Sequence, residues 1–583
     1  MRKQLLLLLA LCCPSLWVLA ERIDVATAHR VAVNVAQQGD TAVGLRSSDD
    51  VTLVYAAVPG EKGVALRSTA SDVEADYFVF NFPSDKGFAI ISGEDRVRPI
   101  LGYSYTGSFD PDNLPTALKG MLASYQKQIE WAINQNLEAS PEVTEEWSNY
   151  LSGAMPKTRA VTITTAEWSQ DDPYNRKAPM IGKERTYVGC VATAMGIVMK
   201  HHEYPAKAVN PPKQNTYSVG GNKVTAKFTY KEYDWENMLY VYKDSAFTDV
   251  EANAVATLLF HCGINTEMNF ELEGSGTTNL YAAKALRDVF GYSPEIRYLN
   301  RDAYRWTEWK KMLRDELDEG YPVLYDGYGE TEGGHAFVCD GYDDKDHFHI
   351  NWGWSGYRNG FFSLSLLSGF DEDQNMVLHI RPEATGETYY VRPYLTSAIY
   401  TKKGKWVSVD FSMKYCAIDD HKFWFGLGVA DEDNAVVKAP KEEDVFWHDL
   451  EAYLSGWNEY KADSVTTTLD ADLSKGERVT MLCSVDGENW EVMRTLEVVP
   501  TGIGDDNASP ETANEAIGTE TLRVWSQQRQ LFIQTDKEET ARIITMDGRP
   551  YKTLHLSAGI FVEEMPRGIY VVLVGGQAFK LMF

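Results

Sequence analysis

Twelve residues, Gly189-Cys190-Val191-Ala192-Thr193-Ala194-Met195-Gly196-Ile197-Val198-Met199-Lys200, constrain this chain more than any other stretch. Val191, Ala194, Met195 and Val198 recur at helical spacing, and Ile197 and Met199 widen the apolar face, which predicts a helix buried inside a domain. Gly189 permits a tight entry and Pro205 sets a downstream limit. Cys190 falls in the first turn. The dipoles and unpaired N–H groups at a helix N-terminus favour thiolate over thiol, and thiolate is a nucleophile. An isolated cysteine on such a helix is more often an inert core residue, so the rest of the chain has to supply its partners.

A chain of 583 residues exceeds one core and predicts several domains. Its net charge of −28 argues against nucleic acid as a partner and fits a soluble protein working outside the cell. Arg2 and Lys3 precede an apolar run over 5–11, and Val18-Leu19-Ala20 offers a cleavage pattern before Glu21, so residues 1–20 read as a signal peptide. Leu11 and Cys12, which precede Cys12 and Cys13, are not the small residues a lipid-anchor site wants. Beyond the signal peptide stand Cys190, Cys262, Cys339, Cys416 and Cys483. An odd number, widely spread and without CxxC, argues against a disulfide framework or a zinc site, and no cofactor is expected.

Residues 21–159 look like a separate small domain. Tyr77-Phe78-Val79-Phe80-Asn81-Phe82 and Gly87-Phe88-Ala89-Ile90-Ile91-Ser92 predict a hairpin. Leu118, Met121, Leu122, Tyr125, Ile129, Trp131 and Ile133 predict an amphipathic helix over 114–135. A polar stretch from Ala139 then reaches Pro156-Lys157-Thr158-Arg159-Ala160, the kind of segment proteases cut. We read 21–159 as a propeptide and 157–160 as its maturation zone. Over 160–385, helices predicted at 190–200, 253–261, 280–290 and 306–319 are followed by strand-like runs, an α+β pattern. Alternation such as Trp406-Val407-Ser408-Val409-Asp410-Phe411 predicts a β-sandwich over 386–500. A linker over 501–520 leads to a small β-domain over 521–583.

A nucleophilic cysteine needs a base, and histidine is the usual one. His29 lies in the propeptide, and His379, His421, His448 and His555 lie at or beyond the end of the Cys190 domain. His201, His202 and His261 suit the negative ends of their helices, and His347 and His349 share one strand face as surface residues. His335 stands out in Gly333-Gly334-His335-Ala336-Phe337-Val338, where two glycines let backbone and substrate come close before an apolar strand. Asn351-Trp352-Gly353-Trp354 follows the next strand; a carboxamide there suits an imidazole N–H, and an indole could shield that bond, although the pair also fits a β-turn in the core. Cys190 and His335 are 145 residues apart and Asn351 lies 16 further on, a spacing comparable to that of papain-type cysteine proteases.

Taken in order, Trp168-Ser169-Gln170-Asp171-Asp172-Pro173-Tyr174-Asn175, Gly189-Cys190-Val191-Ala192-Thr193-Ala194, Gly333-Gly334-His335-Ala336-Phe337, Asn351-Trp352-Gly353-Trp354 and Gly360-Phe361-Phe362 resemble the streptopain family of papain-fold cysteine proteases. Asp85-Lys86-Gly87-Phe88-Ala89-Ile90-Ile91-Ser92-Gly93 and Ile100-Leu101-Gly102-Tyr103-Ser104 are similar to that family's propeptide. The resemblance implies that Cys190 attacks the peptide carbonyl, His335 is the acid and base, and Gln170 donates to the oxyanion with the Cys190 N–H. It leaves open whether Asn351 or a neighbouring tryptophan, Trp352 included, orients the imidazole. Gly334, with Ser275 or Gly276, would line the substrate cleft. Gln170 precedes Cys190 by 20 residues, more than in papain itself, which implies an inserted loop.

Met565-Pro566-Arg567-Gly568-Ile569-Tyr570-Val571-Val572-Leu573-Val574, with Lys580, resembles the sorting domain of the type IX secretion system of Gram-negative bacteria. This implies passage through the periplasm and outer membrane, release or attachment at the surface, and the secretion machinery as a partner. The expectation is a monomeric, secreted endopeptidase zymogen acting on proteins and silenced by its own propeptide. A cell-wall amidase on the same fold and a surface adhesin with a dead protease domain are the rivals.

Overall fold

The computed structural model of the chain describes residues 22–582 without 40–46, 60–73, 135–136, 155–156, 244–245, 330–332, 367–373, 383–385, 453–457, 470–471, 496–501, 505–516, 520–521, 528–529, 536–538, 546–549, 557–558, 565–568 and 575–576. The expected signal peptide, most of the linker and Met565-Pro566-Arg567-Gly568 therefore lie outside the described residues.

In chain order, the first part comprises α1 (Val25–Gln38), β1 (Thr52–Ala57), β2 (Tyr77–Asn81), β3 (Phe88–Ser92), β4 (Ile100–Ser104), α2 (Thr116–Asn134) and α3 (Pro141–Ser152). β2 and β3 are apolar on both faces because helices cover both. Phe78, Phe80, Ala89 and Ile91 pack with Ala28 and Val31 of α1 and with Trp147 and Tyr150 of α3. Tyr77, Val79, Phe88 and Ile90 face Leu118, Leu122 and Tyr125 of α2. The polar stretch expected after 139 is in fact largely helical. Ser140 caps α3 by accepting the Val143 N–H, Pro141 begins it, and Gly153 closes it at φ 69°.

The second part comprises β5 (Ala160–Thr162), α4 (Cys190–His202), α5 (Asp249–Asn265), α6 (Asn279–Asp288), β6 (Arg297–Asn300), α7 (Trp306–Asp318), β7 (Val323–Gly329), β8 (Gly333–Asp343), β9 (Phe348–Asn351), β10 (Gly360–Phe362) and β11 (Asn375–Leu378). All these strands join one antiparallel sheet in the order β1-β2-β3-β4-β10-β9-β8-β7-β11-β6, with β5 paired to β8. The join lies between β4 and β10, where Tyr103 faces Phe361 and Gly102 faces Phe362. The expectation that 21–159 stands apart is thereby corrected: its strands extend the sheet of the second part.

Alternation along β8 divides the core. Ala336 and Val338 pack on the α4 side with Val191, Ala194 and Met195, together with α5 and α6. Phe337 and Cys339 pack on the other side with Leu118 and Leu122 of α2 and with Trp309 and Leu313 of α7. A Cβ on Gly196 would come within 2.2 Å of Leu259, so this glycine allows α4 and α5 to touch. His261 is internal to α5 rather than at its end.

Between Tyr394 and Gly504, two antiparallel-rich sheets close over Val407, Val409, Phe411, Phe423, Phe425, Leu427, Val479 and Met481 as a β-sandwich. It is fastened to the second part by Cys416 and Ile418, which enter the α4 core. Arg287 pairs with Asp419 at 2.5 Å, and the Arg297 guanidinium lies 3.8 Å from the centre of the Tyr389 ring. Two four-stranded sheets between Ile517 and Met582 enclose Val524, Leu531, Ile533, Ile543 and Val572. No helix among the described residues is long and apolar enough to cross a membrane.

Candidate active site

Cys190 is the first residue of α4, and Gly189 before it adopts φ 90°, ψ 148° as the helix cap. A side chain on Gly189 would meet Met268 at 2.7 Å and the Ser275 carbonyl at 2.9 Å. Glycine is required here both for the dihedral and for the space. Cys190 is half-buried, and its sulfur lies 3.5 Å from the backbone N–H of Ala336, next to His335. The other four described cysteines are free and fully buried.

The helix N-terminus does not decide the state of this thiol. Burial pushes Cys190 above its ordinary 9.0, and the charge of Asp326 adds to that, against the N–H groups of Ala336 and Val191, which pull it down. Burial and Asp326 therefore act against the N–H groups at the helix terminus, which were expected to favour thiolate. Asp326 stands opposite Ala336 across the β7–β8 ladder and accepts from Asn375 Nδ2 at 2.7 Å. Sequence reasoning missed it, and its only signal was a carboxylate in the run Val323-Leu324-Tyr325-Asp326-Gly327.

Gln170 reaches the same place on an extended strap. The Trp168 indole donates to Leu239 O at 2.8 Å. Thr193 Oγ1 of α4 donates to Gly189 O at 3.0 Å with Ser169 O beside it at 3.3 Å, and Gln170 O accepts the Val188 N–H at 3.1 Å. The backbone of Gln170 is thus fixed to the chain entering Cys190. The loop between the two, expected from their spacing, carries a short hairpin, Met180–Ile181 with Glu184–Arg185.

His335 is partly exposed near the start of β8 and faces Gly327; Gly334 is exposed and faces Tyr328. Asn351 is 1% exposed. Its amide nitrogen donates to Thr165 Oγ1 at 2.9 Å and Ala166 O at 3.0 Å, and its oxygen accepts the Gly353 N–H at 3.2 Å. Asn351, one of the residues left open as orienting the imidazole, thus holds the strap with its amide nitrogen. Trp352 is buried with Phe337 and Phe362 on the α2 and α7 side, and its indole donates to Arg358 O at 2.9 Å. Ser275 is buried, donates to Tyr187 O at 2.7 Å and accepts from the Glu271 N–H at 2.9 Å, so its hydroxyl braces the approach to Cys190. Gly276 is exposed, and a Cβ there would meet open space, as at a cleft wall.

The remaining histidines differ from expectation. Burial lowers His202 to about 3 and His261 to about 4, so both are neutral core groups rather than cationic helix caps. His347, expected at the surface, is wholly buried at the seam with the first part of the chain. Its Nδ1 meets the Asp343 carboxylate at 2.9 Å and its Nε2 the Ile100 carbonyl at 3.1 Å. Tyr103 donates to the same carboxylate at 2.8 Å. Burial pushes Asp343 up, but the His347 charge and these hydrogen bonds outweigh it and hold the carboxyl below its ordinary 3.8. Ser104 Oγ donates to Asn359 O at 2.7 Å, and Tyr125 donates to Leu101 O and Ser363 O, closing the same seam.

Residues 168–362 match the peptidase C10 family, and residues 20–129 match the Spi protease inhibitor. The chain is 32% identical over 357 residues to the thiol protease/hemagglutinin PrtT of Porphyromonas gingivalis, a match covering 58% of this chain and 40% of that protein. It is 30% identical over 368 residues to streptopain of Streptococcus pyogenes, covering 58% of this chain and 86% of that one. Among solved structures, a fragment of Prevotella intermedia prointerpain A aligns with a TM-score of 0.45 and 29% identity, covering 58% of this chain and all of that one.

Proposed function

The chain belongs to the peptidase C10 family, with a Spi protease inhibitor region ahead of the peptidase, and from this we propose that it is an exported cysteine endopeptidase zymogen that cuts proteins with Cys190 and His335. One observation carries the reading: three distant segments converge, with the His335–Ala336 backbone on the Cys190 sulfur and the Gln170 backbone on the turn before Cys190.

In the proposed reaction His335 takes the thiol proton and the sulfur attacks the peptide carbonyl carbon. The oxyanion accepts from the Cys190 backbone N–H and the Gln170 side-chain N–H, a donor worth about 3 kcal/mol in comparable sites. The imidazolium returns its proton to the leaving amine, leaving a thioester. Water, deprotonated by His335, then releases the acid and restores the thiol. Gly334 and Gly276, both without side chains to obstruct, would border the peptide.

The first part of the chain is the proposed silencer. Its β4 occupies the β10 edge and its α2 covers one face of the sheet. Cleavage over 157–160 would release it. Export through the periplasm by residues 1–20, then across the outer membrane by the C-terminal β-domain, completes the proposal and rests on sequence resemblance. The mass-spectrometric termini of the secreted protein test both cuts. The enzymatic core is tested with casein: the Cys190→Ala and His335→Ala proteins should remain full-length and inactive, and normal cleavage by either would sink the proposal.

A further inference from the structure

Asp340 is a charged residue with 2% exposure on β8, five residues beyond His335, and the proposed reaction does not use it. Its backbone oxygen accepts the Ile163 N–H at 2.7 Å. Its carboxylate accepts from Thr165 Oγ1 at 2.5 Å with one oxygen and meets His349 Nδ1 at 2.5 Å with the other. Thr165 has one proton to give and gives it to Asp340, so its lone pair is free to accept from Asn351 Nδ2 at 2.9 Å. Every direction in the chain Gly353 to Asn351 to Thr165 to Asp340 is fixed by what each group can donate.

This chain of bonds has a mechanical consequence. The strap that carries Gln170 begins at β5, next to the maturation zone, and has only three residue pairs with β8. The next fastenings are Ile163, Thr165 and Ala166, held by Asp340 and Asn351; then come Trp168, Ser169 and Gln170. Gly353, at the other end of the relay, would place a Cβ 3.2 Å from Thr193, the α4 residue that donates to Gly189 O and lies beside Ser169 O. The relay therefore links the strand of His335, the strap of Gln170 and the helix of Cys190.

We propose that Asp340 is a positioning residue for catalysis: through Thr165 and Asn351 it holds the Gln170 strap in register with Cys190 after cleavage has freed the strap's upstream end. The inference rests on the oxyanion role of Gln170. Removing the carboxylate at 340 takes away the acceptor of the Thr165 proton and the partner of His349. The strap then loses its hold at Thr165, which stands between β5 and the bonds of Glu167, Trp168 and Gln170 to Tyr240, Leu239 and Val188, and displacements well under an ångström matter at an oxyanion donor.

The test uses full-length variants processed in trans by a tagged wild-type enzyme that is afterwards removed. Asp340→Ala and Thr165→Val should lower kcat roughly tenfold with KM nearly constant, while Thr165→Ser, which keeps the hydroxyl, restores it. Alkylation of Cys190 by iodoacetamide develops no oxyanion and should proceed at the wild-type rate in all three. Gln170→Ala should cost roughly a hundredfold or more, and adding Asp340→Ala to it should cost nothing further. Additive losses, alkylation falling in step with kcat, or full activity in Thr165→Val would overturn the positioning role alone. Full activity in Gln170→Ala would overturn the oxyanion reading and this inference with it.

Discussion

At Cys190 two effects of opposite sign meet, and the larger decides what the thiol does. A helix N-terminus offers N–H groups and a favourable dipole, but the sulfur is desolvated and Asp326 adds a nearby negative charge. In the full-length protein the alkylation rate of Cys190 should therefore keep rising as pH passes 9.0, the ordinary value for this group. Asp326→Asn removes a charge that disfavours thiolate, so its alkylation profile should move to lower pH; an unmoved or upward-shifted profile contradicts this assignment. The cysteine itself was legible in the sequence because its helix is nearly all apolar. The balance at its sulfur was not, since Asp326 becomes its neighbour only through strand pairing.

Elements were legible where their own pattern settled them. α4 was expected over 190–200 and runs over Cys190–His202, and the hairpin of β2 and β3 follows its two apolar runs. α3 was obscured because Val143, Trp147, Tyr150 and Leu151 carry a helical stripe through a strongly polar background. His347 was obscured for another reason: its burial depends on β4, more than two hundred residues away in sequence. The entry to α4 offers the sharpest test at this scale. Gly189→Ala would place a Cβ within 2.7 to 2.9 Å of Met268 and Ser275 at a left-handed φ. It should cost ~2 kcal/mol or more in urea unfolding and abolish activity; a neutral substitution would show that the turn can relax.

At the scale of the whole molecule, the propeptide region shares the sheet and the core of the peptidase, so its removal uncovers the β10 edge and the surface beneath α2. The seam contains a buried charge, which makes it sensitive to acid. Asp343 is held below its ordinary 3.8 in the folded protein. Its contribution to stability is therefore full above that pH and is lost as pH falls through the folded value. The Tm of the full-length protein should drop more steeply on acidification below pH 3.8 than that of Asp343→Asn; parallel curves would remove Asp343 from the account. Tyr103→Phe should weaken the same seam and speed release of the propeptide region after cleavage, as followed by gel filtration. The boundary placed in the sequence at 159 reads a real change in composition, but composition alone could not reveal that the strands on either side of it complete one sheet. The most direct measurement of the central claim is covalent trapping of the processed protein with a thiol-directed epoxide, followed by peptide mass mapping and casein hydrolysis on the same sample. A single adduct on Cys190, rising in proportion as hydrolysis disappears, is the predicted result. Hydrolysis that persists with Cys190 fully modified would contradict it.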